Sequence, residues 1–504
     1  MLSLVATLLA AAALRIYLIA RDSVPFAYDM GRDLLWAKDI VFYQTPTLIG
    51  PAASIWGVYF GPLWFYFLSV PLLITGGHPL SAVFATATII LATGILSYIL
   101  FKKILGNFFA LVVVIFILFG STLVNISTFA FHANVLPLLT IVMIYFCYLA
   151  IIKKTIYIAF AFLSTSLMFH ADPAPAVVST FIPLITLVIF KLYKSKDFPK
   201  TILYSAIAFA VPFIPQILFE IRNDFIQTKS LAAYFLGQNP SLSGQLPFFE
   251  RVENRIGVFF DFFKNSMAGQ TQLLALLFLA GISFGLYSFF QKTKAPNLKV
   301  FLHLNLLTLV ITFVIFTLVV TVEVKQWYLY GVPVVFANLA TLALYKRKIW
   351  QVVIFLSVFV VANVSPLVSV ALRRASANDP ANLRNQLSAI DAIYSDAADP
   401  FSVYVFTPSI YDHHYQYLFW WQGVKFKRGL PQDFAYLPNQ PDYVRNKNFY
   451  TPIAQKSNTI YLIIENATEN QFYTKENWLA NFADHQVIWE KDINNALTVQ
   501  KRQQ

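Results

Sequence analysis

A series of long apolar runs limits this chain more than any other feature. A bilayer core takes roughly 20 apolar residues per helix. Runs of about that length lie near 2–20, 57–76, 80–101, 107–122, 132–151, 155–170, 174–191, 201–219, 272–290, 300–322, 326–345 and 349–370. Only 12% of the 504 residues are charged, against 58% hydrophobic, with a mean hydropathy of +0.61. A soluble protein carries about 25% charge, so a water-facing globule of this size is excluded, and intrinsic disorder with it. Cys147 is the single cysteine, which excludes an intramolecular disulfide framework and a Cys-rich metal site. The expected fold is an all-α polytopic membrane bundle of about 11–13 transmembrane helices with a small C-terminal α/β domain outside the membrane.

The formal charge of +12 would suggest nucleic acid on a soluble protein, so its position matters. Residues 373–504 hold 13 basic and 13 acidic residues, so the excess lies wholly in 1–372. It sits in short connections: Lys102-Lys103, Lys153-Lys154, Lys191 to Lys200, Lys292 to Lys299, and Lys346-Arg347-Lys348. Together these contain 14 basic residues and one acid, Asp197. Two apolar runs separate each consecutive pair, so all five share one face, which the positive-inside rule makes cytoplasmic. Topology therefore accounts for the charge, and no nucleic acid is needed. The opposite face receives 22–60, 123–131, 170–175, 220–271, 323–325 and the tail. The chain is read as a plasma (inner) membrane, multi-pass protein, with 1–372 as the transmembrane domain and 373–504 as an extracytoplasmic domain.

One piece conflicts. Counting three spans back from Lys102 puts the 22–60 loop on the cytoplasmic side. Either 57–76 or 80–101 does not fully cross, or the Lys102-Lys103 pair breaks the rule. The weaker element is 57–76, interrupted by Gly61-Pro62, Pro71 and Gly76-Gly77, and 22–60 is assigned outside. The first run lacks a positive leading segment and contains Arg15, which favours a retained helix over a cleaved signal. In the tail, 401–406 and 459–464 are strand-like, 381–395 has helical spacing, and a Pro/Asn-rich stretch, 430–452, separates the halves.

The chemistry-bearing residues gather in the outer loops. In Tyr28-Asp29-Met30-Gly31-Arg32-Asp33, a helix from Asp29 places Asp29, Arg32, Asp33 and Trp36 on one face and Met30, Leu34, Ala37 and Val41 on the other. That reads as an amphipathic helix at the membrane surface. Asp29 is open to two roles, an N-cap or a cavity-facing acid. Tyr59 belongs to the aromatic stretch 57–66, which suits an interfacial belt or a prenyl chain. His132, His170 and Asp172 lie at span ends, as helix caps or as functional groups, without a metal-ligand spacing. Arg222 and Lys229 follow the eighth run, and Arg251 stands one turn before Arg255. Each can pair with nearby acids or hold a phosphate. Tyr328 lies in a tight turn carrying both charge signs. No nucleotide-binding, metalloprotease or serine-hydrolase motif appears in a supporting context.

The order of these features resembles the polytopic GT-C glycosyltransferases, in particular bacterial relatives of the protein O-mannosyltransferases and lipid A aminoarabinose transferases. The matching pieces are Leu14-Arg15, Tyr28-Asp29-Met30-Gly31-Arg32-Asp33, Gly61-Pro62-Leu63-Trp64-Phe65-Tyr66, Phe131-His132-Ala133-Asn134, Phe219 to Phe225 and Tyr328 to Pro333. The resemblance implies inverting sugar transfer, on the outer face, from a polyprenyl-phosphate-linked donor to an acceptor of unspecified kind. Asp29 matches the expected general base. Arg222 would be the leading phosphate contact, with Lys229 and Arg251 beside it. Arg32, Asp33, Tyr59, His132, His170, Asp172 and Tyr328 would line the substrate site. Membrane lipids are expected partners, and the resemblance fixes no cofactor while leaving room for a divalent cation. Two departures stand out: Asp29 is followed by Met30 where many relatives have an acidic pair, and Phe60-Gly61-Pro62 replaces Lys-Pro-Pro. The rival reading is a lipid-linked saccharide transporter or flippase without covalent chemistry.

Overall fold

The computed structural model describes residues 2–21, 24–236, 246–320, 323–398, 401–409, 411–431, 458–469 and 474–504. Nearly all of the Pro/Asn-rich stretch 430–452, and the centre of the 220–271 loop, lie outside them. The helices, in chain order, are α1 (Leu2–Ala20), α2 (Tyr28–Phe42), α3 (Leu63–Thr75), α4 (Ser81–Leu105), α5 (Asn107–Phe119), α6 (Ser121–Ile126), α7 (Leu136–Ile152), α8 (Ile158–Met168), α9 (Pro173–Ile189), α10 (Phe198–Ala210), α11 (Ile214–Arg222), α12 (Ile226–Phe235), α13 (Phe248–Met267), α14 (Gln272–Lys292), α15 (Pro296–Leu318), α16 (Val332–Leu344) and α17 (Ile349–Arg373).

Among the described residues, eight helical segments are long and apolar enough to cross a membrane. They are α1, α4, α7, α10–α11, α14, α15, α16 with its preceding turn, and α17. Four further apolar helices are shorter, 63–75, 107–119, 155–168 and 173–189. Gly120 ends α5 before α6 continues the line, whereas α9 runs on through Pro183 to Ile189. The Gln326–Leu344 segment is 78% buried and Phe198–Arg222 only 11%, so the former is the bundle's centre and the latter a lipid-facing rim.

The conflict over 57–76 resolves at α3. With 13 residues it is about 20 Å long, too short for a hydrocarbon core of about 30 Å. Its start lies against His170, on the turn between α8 and α9, opposite the lysine loops. Its end lies against the tail, where the Tyr417 hydroxyl donates to the Gly77 carbonyl at 2.6 Å. Both ends are thus on one face, and α3 does not carry the chain across. Loop 24–61 and the tail share that face.

The tail is built on a four-stranded sheet in the order β1-β2-β4-β3, with β1 (Ser402–Phe406), β2 (Thr459–Glu465), β3 (Gln486–Ile493) and β4 (Leu497–Gln503). The β1–β2 pair is parallel and the other two are antiparallel. Among the described residues three α-helices accompany it: α18 (Leu383–Asp396), α19 (His413–Lys425) and α20 (Lys475–Leu479). Sequence patterning indicates α18, β1 and β2; it does not single out α19, which connects the tail to the membrane part.

The α2 helix departs from the surface helix expected. Every residue from Met30 to Asp39 is buried, because α3 covers one side and α19 the other. Trp36 stacks on Phe65 with centroids 5.6 Å apart. Gly31 crosses α19 at backbone contact, with no room for a side chain against the backbone of His413 and His414. The Phe26 amide donates to the Ala381 carbonyl at 2.6 Å and the Gln386 amide to the Phe26 carbonyl at 2.8 Å. Lys38, fully buried, pairs with Asp39 at 2.5 Å and faces the Tyr43 and Trp420 rings. Burial lowers the Lys38 pKa against the opposing pull of Asp39.

Arginines buried among apolar helices are held by free helix-end carbonyls, the groups a helix leaves without partners. Arg15 donates to the Leu118 carbonyl near the end of α5, at 3.2 Å. Arg255, on α13, reaches the Phe316 and Val320 carbonyls near the end of α15.

Candidate functional site

The α2 helix begins at Tyr28 with Ala27 as its N-cap, and no side chain caps it. Asp29 is therefore a first-turn residue rather than the N-cap. Its side chain is 46% exposed and accepts from Arg32 Nη1 at 2.8 Å. Arg32, buried, is fixed in turn by Asp33: Nε and Nη2 reach Asp33 Oδ1 at 2.9 and 2.8 Å. The Trp64 indole donates to Asp33 Oδ2 at 2.7 Å. A guanidinium offers five donors in a rigid fork, and here the fork is divided between two carboxylates, one sealed and one open. Tyr28 lies over the guanidinium at 5.4 Å.

The electrostatics follow from this burial. Loss of water works against the Arg32 charge, yet Asp33 and Asp29 together hold its pKa above the ordinary value. Burial pushes the Asp33 carboxyl up to about 6, against the opposing effects of Arg32 and Trp64.

A second group adjoins the first. His132 is 5% exposed and lies between the Phe131 and Phe60 rings, with centroids at 3.9 and 4.9 Å. Its Nδ1 has no partner among the described residues. Phe131 meets Trp327 edge-on at 5.7 Å, and the Trp327 side chain hydrogen-bonds to Asp172. Asp172 also accepts from the Ala174 amide at 3.0 Å and so caps α9. Burial pushes its carboxyl up to about 7. His170 hydrogen-bonds through Nε2 to the Pro212 carbonyl at 2.9 Å, and burial lowers its pKa to about 4. Gly61 lies directly on the His170 ring, where a side chain would collide.

Behind this group an apolar slot of about 390 Å³, its open mouth included, runs into the bundle. Thr140, Met143, Val178, Ile182, Phe316 and Tyr328 are among the residues that line it. Tyr328 stacks on Phe316 with centroids 6.1 Å apart.

The remaining cations are built differently. Arg222 and Lys229 are exposed, and neither pairs with Glu220. That carboxylate instead accepts from the Gln227 and Thr228 amides and the Thr228 hydroxyl, fixing the start of α12. Arg251 is half-buried, its guanidinium over Phe248 at 5.9 Å, and its Nε has no partner among the described residues. Tyr59 links the two regions. Its amide donates to Gln227 at 2.8 Å, its carbonyl accepts from Gln216 at 3.2 Å, and its ring meets Phe219 edge-on.

Trp64 and Phe65 correct the interfacial-belt reading of 57–66. Both are buried, because α3 packs on α2, while Leu63 and Phe67 face outward. Another group that sequence reasoning does not single out is Tyr411-Asp412-His413-His414, at the start of α19. The apolar and aromatic run that follows, Tyr417 to Trp421, is its sequence signal, since a helix apolar all round is a buried one. Among the described residues no three His, Cys, Asp or Glu side chains form a group able to hold a metal ion.

No protein-family model matches the sequence, and no curated protein matches it. Solved structures do share its fold. ArnT from Cupriavidus metallidurans in the apo state aligns with a TM-score of 0.61 at 13% identity, over 99% of this chain and 97% of that one. The same protein bound to undecaprenyl phosphate aligns with a TM-score of 0.62 at 12% identity, again over 99% and 97%. The likeness is one of fold, and it extends through both the membrane part and the tail.

Proposed function

We propose that this chain is an integral-membrane glycosyltransferase that moves a sugar from a polyprenyl-phosphate-linked donor to an acceptor hydroxyl. The observation that carries the reading is the state of Asp29. It is an open carboxylate held at a fixed angle by a sealed arginine, on the face away from the lysine loops, in a fold shared over nearly its whole length with ArnT. The positive-inside rule makes that face the outer one.

In this reading the acceptor oxygen attacks the anomeric carbon while Asp29 takes its proton. The bond from that carbon to the phosphate oxygen breaks, and polyprenyl phosphate leaves with the bonding pair. Attack opposite the leaving group inverts the anomeric centre. Arg32 keeps the carboxylate aimed, so the base needs no reorganisation when substrate arrives. Arg222 is the leading contact for the departing phosphate, with Lys229 and Arg251 beside it; that the first two are exposed and the third retains an unpartnered nitrogen supports the role. Tyr59, His132, His170 and Asp172 form the wall between. ArnT has been seen with undecaprenyl phosphate, which makes undecaprenyl-phosphate sugars the donors to try first.

The test is release of polyprenyl phosphate by the purified full chain, given a set of undecaprenyl-phosphate sugars and a membrane extract as acceptor pool. Asp29→Asn should insert and fold normally yet release it about 10²–10⁴-fold more slowly. Transfer near the wild-type rate by that variant would remove Asp29 as the base.

A further inference from the structure

The tail does more than brace α2. At the start of α19 it places His413 beside the Asp29–Arg32 pair. The ring centroid lies 5.0 Å from that of Tyr28 and 5.8 Å from that of Tyr411, to which it is nearly parallel. Gly31 fixes this approach by letting the backbone of His413 and His414 come down onto α2.

His413 is fully buried, and neither ring nitrogen has a hydrogen-bond partner among the described residues. Its neighbour His414 does have one, the Glu465 carboxylate at 3.3 Å. Two orphaned nitrogens on one buried ring are costly, and native proteins tolerate such groups where they serve a function. Packing alone would be served better by phenylalanine. Burial, helped by the nearby charge of Arg32, lowers the imidazole pKa to about 3. The ring is therefore neutral at working pH, with one N–H donor and one lone-pair acceptor. That pair complements a hydroxyl, which donates and accepts in turn, and does not complement a phosphate. The partly exposed rings of Tyr28 and Tyr411 lie against it, and partly exposed side chains change rotamer quickly.

We propose that His413, supplied by the C-terminal domain, recognises a sugar or acceptor hydroxyl next to Asp29 and so sets specificity in the transferase site. The inference rests on the transferase reading. The hydroxyl belongs either to the transferred sugar or to the acceptor, and one set of measurements separates the two.

The experiment compares wild type, His413→Phe and His413→Gln as full chains in detergent. The readouts are transfer from undecaprenyl-phosphate hexose, and the melting shift given by that donor and by undecaprenyl phosphate alone. His413→Phe should melt no lower than wild type yet lose at least tenfold in kcat/KM, while His413→Gln, which keeps a donor and an acceptor, recovers most of it. If the donor sugar is read, His413→Phe loses the extra melting shift that the hexose adds to the bare phosphate. If the acceptor is read, both shifts persist and only transfer falls. A folded His413→Phe with wild-type transfer on every donor overturns the inference and leaves the transferase reading intact. A wild-type protein that releases no polyprenyl phosphate from any donor overturns both.

Discussion

Loop 24–61 and the segment from Arg222 to Met267 lie on the same face, yet they treat their charges in opposite ways. In the first, Arg32, Asp33, Lys38 and Asp39 are sealed between α3 and α19, and every cation has a fixed anionic partner. In the second, Arg222 and Lys229 point outward, while apolar residues such as Ile221 and Phe249 are exposed beside them, 62% and 84%. The α13 helix turns Arg255 inward while Phe248 and Phe249, in its first turn, face outward. One loop is therefore set before substrate arrives, and the other is free to take its charges to a ligand. In the proposed reaction the base needs a fixed line of approach, whereas a phosphate on a lipid must be met where the lipid brings it.

This contrast can be broken in graded steps. Asp29→Asn should have the largest effect, a loss of about 10²–10⁴-fold in transfer, the usual range for a general base, with an unchanged melting temperature. Arg32→Ala should come next and should differ in kind. It leaves Asp33 uncompensated and buried, which costs about 3–5 kcal/mol of stability, so both the melting temperature and activity fall. If Arg32→Ala melted like wild type, the idea of a sealed and preset loop would fail. Gly31→Ala should force α19 away from α2 and cost about 1–3 kcal/mol by overpacking, read as a lowered thermal midpoint. Arg222→Ala should have a smaller effect, about tenfold in donor KM, with no change in melting. A larger kcat than KM effect there would mean that the outer cations are as preset as loop one.

The pH dependence separates stability from function at Asp33. Its carboxyl is raised to about 6 when folded, above its ordinary value of 3.8. The stability this shift contributes is fully present below 3.8 and is lost as the pH rises through 6. Transfer should run the other way, falling as the pH drops through 6, because protonated Asp33 releases its hold on Arg32. Asp33→Asn should flatten both trends, measured by melting and by initial rates across pH 4–8.

Much of this arrangement is legible in the chain and some is not. The apolar runs give the helices, and the lysine pairs give the two faces, because both signals are local. Arg32 and Asp33 can be placed on one helix face by spacing alone. What spacing cannot supply is the second wall. Trp64 reads as an interfacial aromatic until α3 is laid on α2, and α2 reads as a surface helix until α19 covers it. His413 lies 384 positions after Asp29 in the sequence, in a stretch that carries no motif and no period. Its significance comes from a contact between distant segments, with Gly31 as the small local trace of it.

The short reach of α3 has a consequence for how this architecture can vary. A segment that leaves and returns on one side does not enter the count that sets which way every later helix runs. It can be lengthened, shortened or exchanged for another without inverting the rest of the protein, a freedom that α4, α7 or α17 does not share. Diversity near Asp29 can accumulate there at little topological risk.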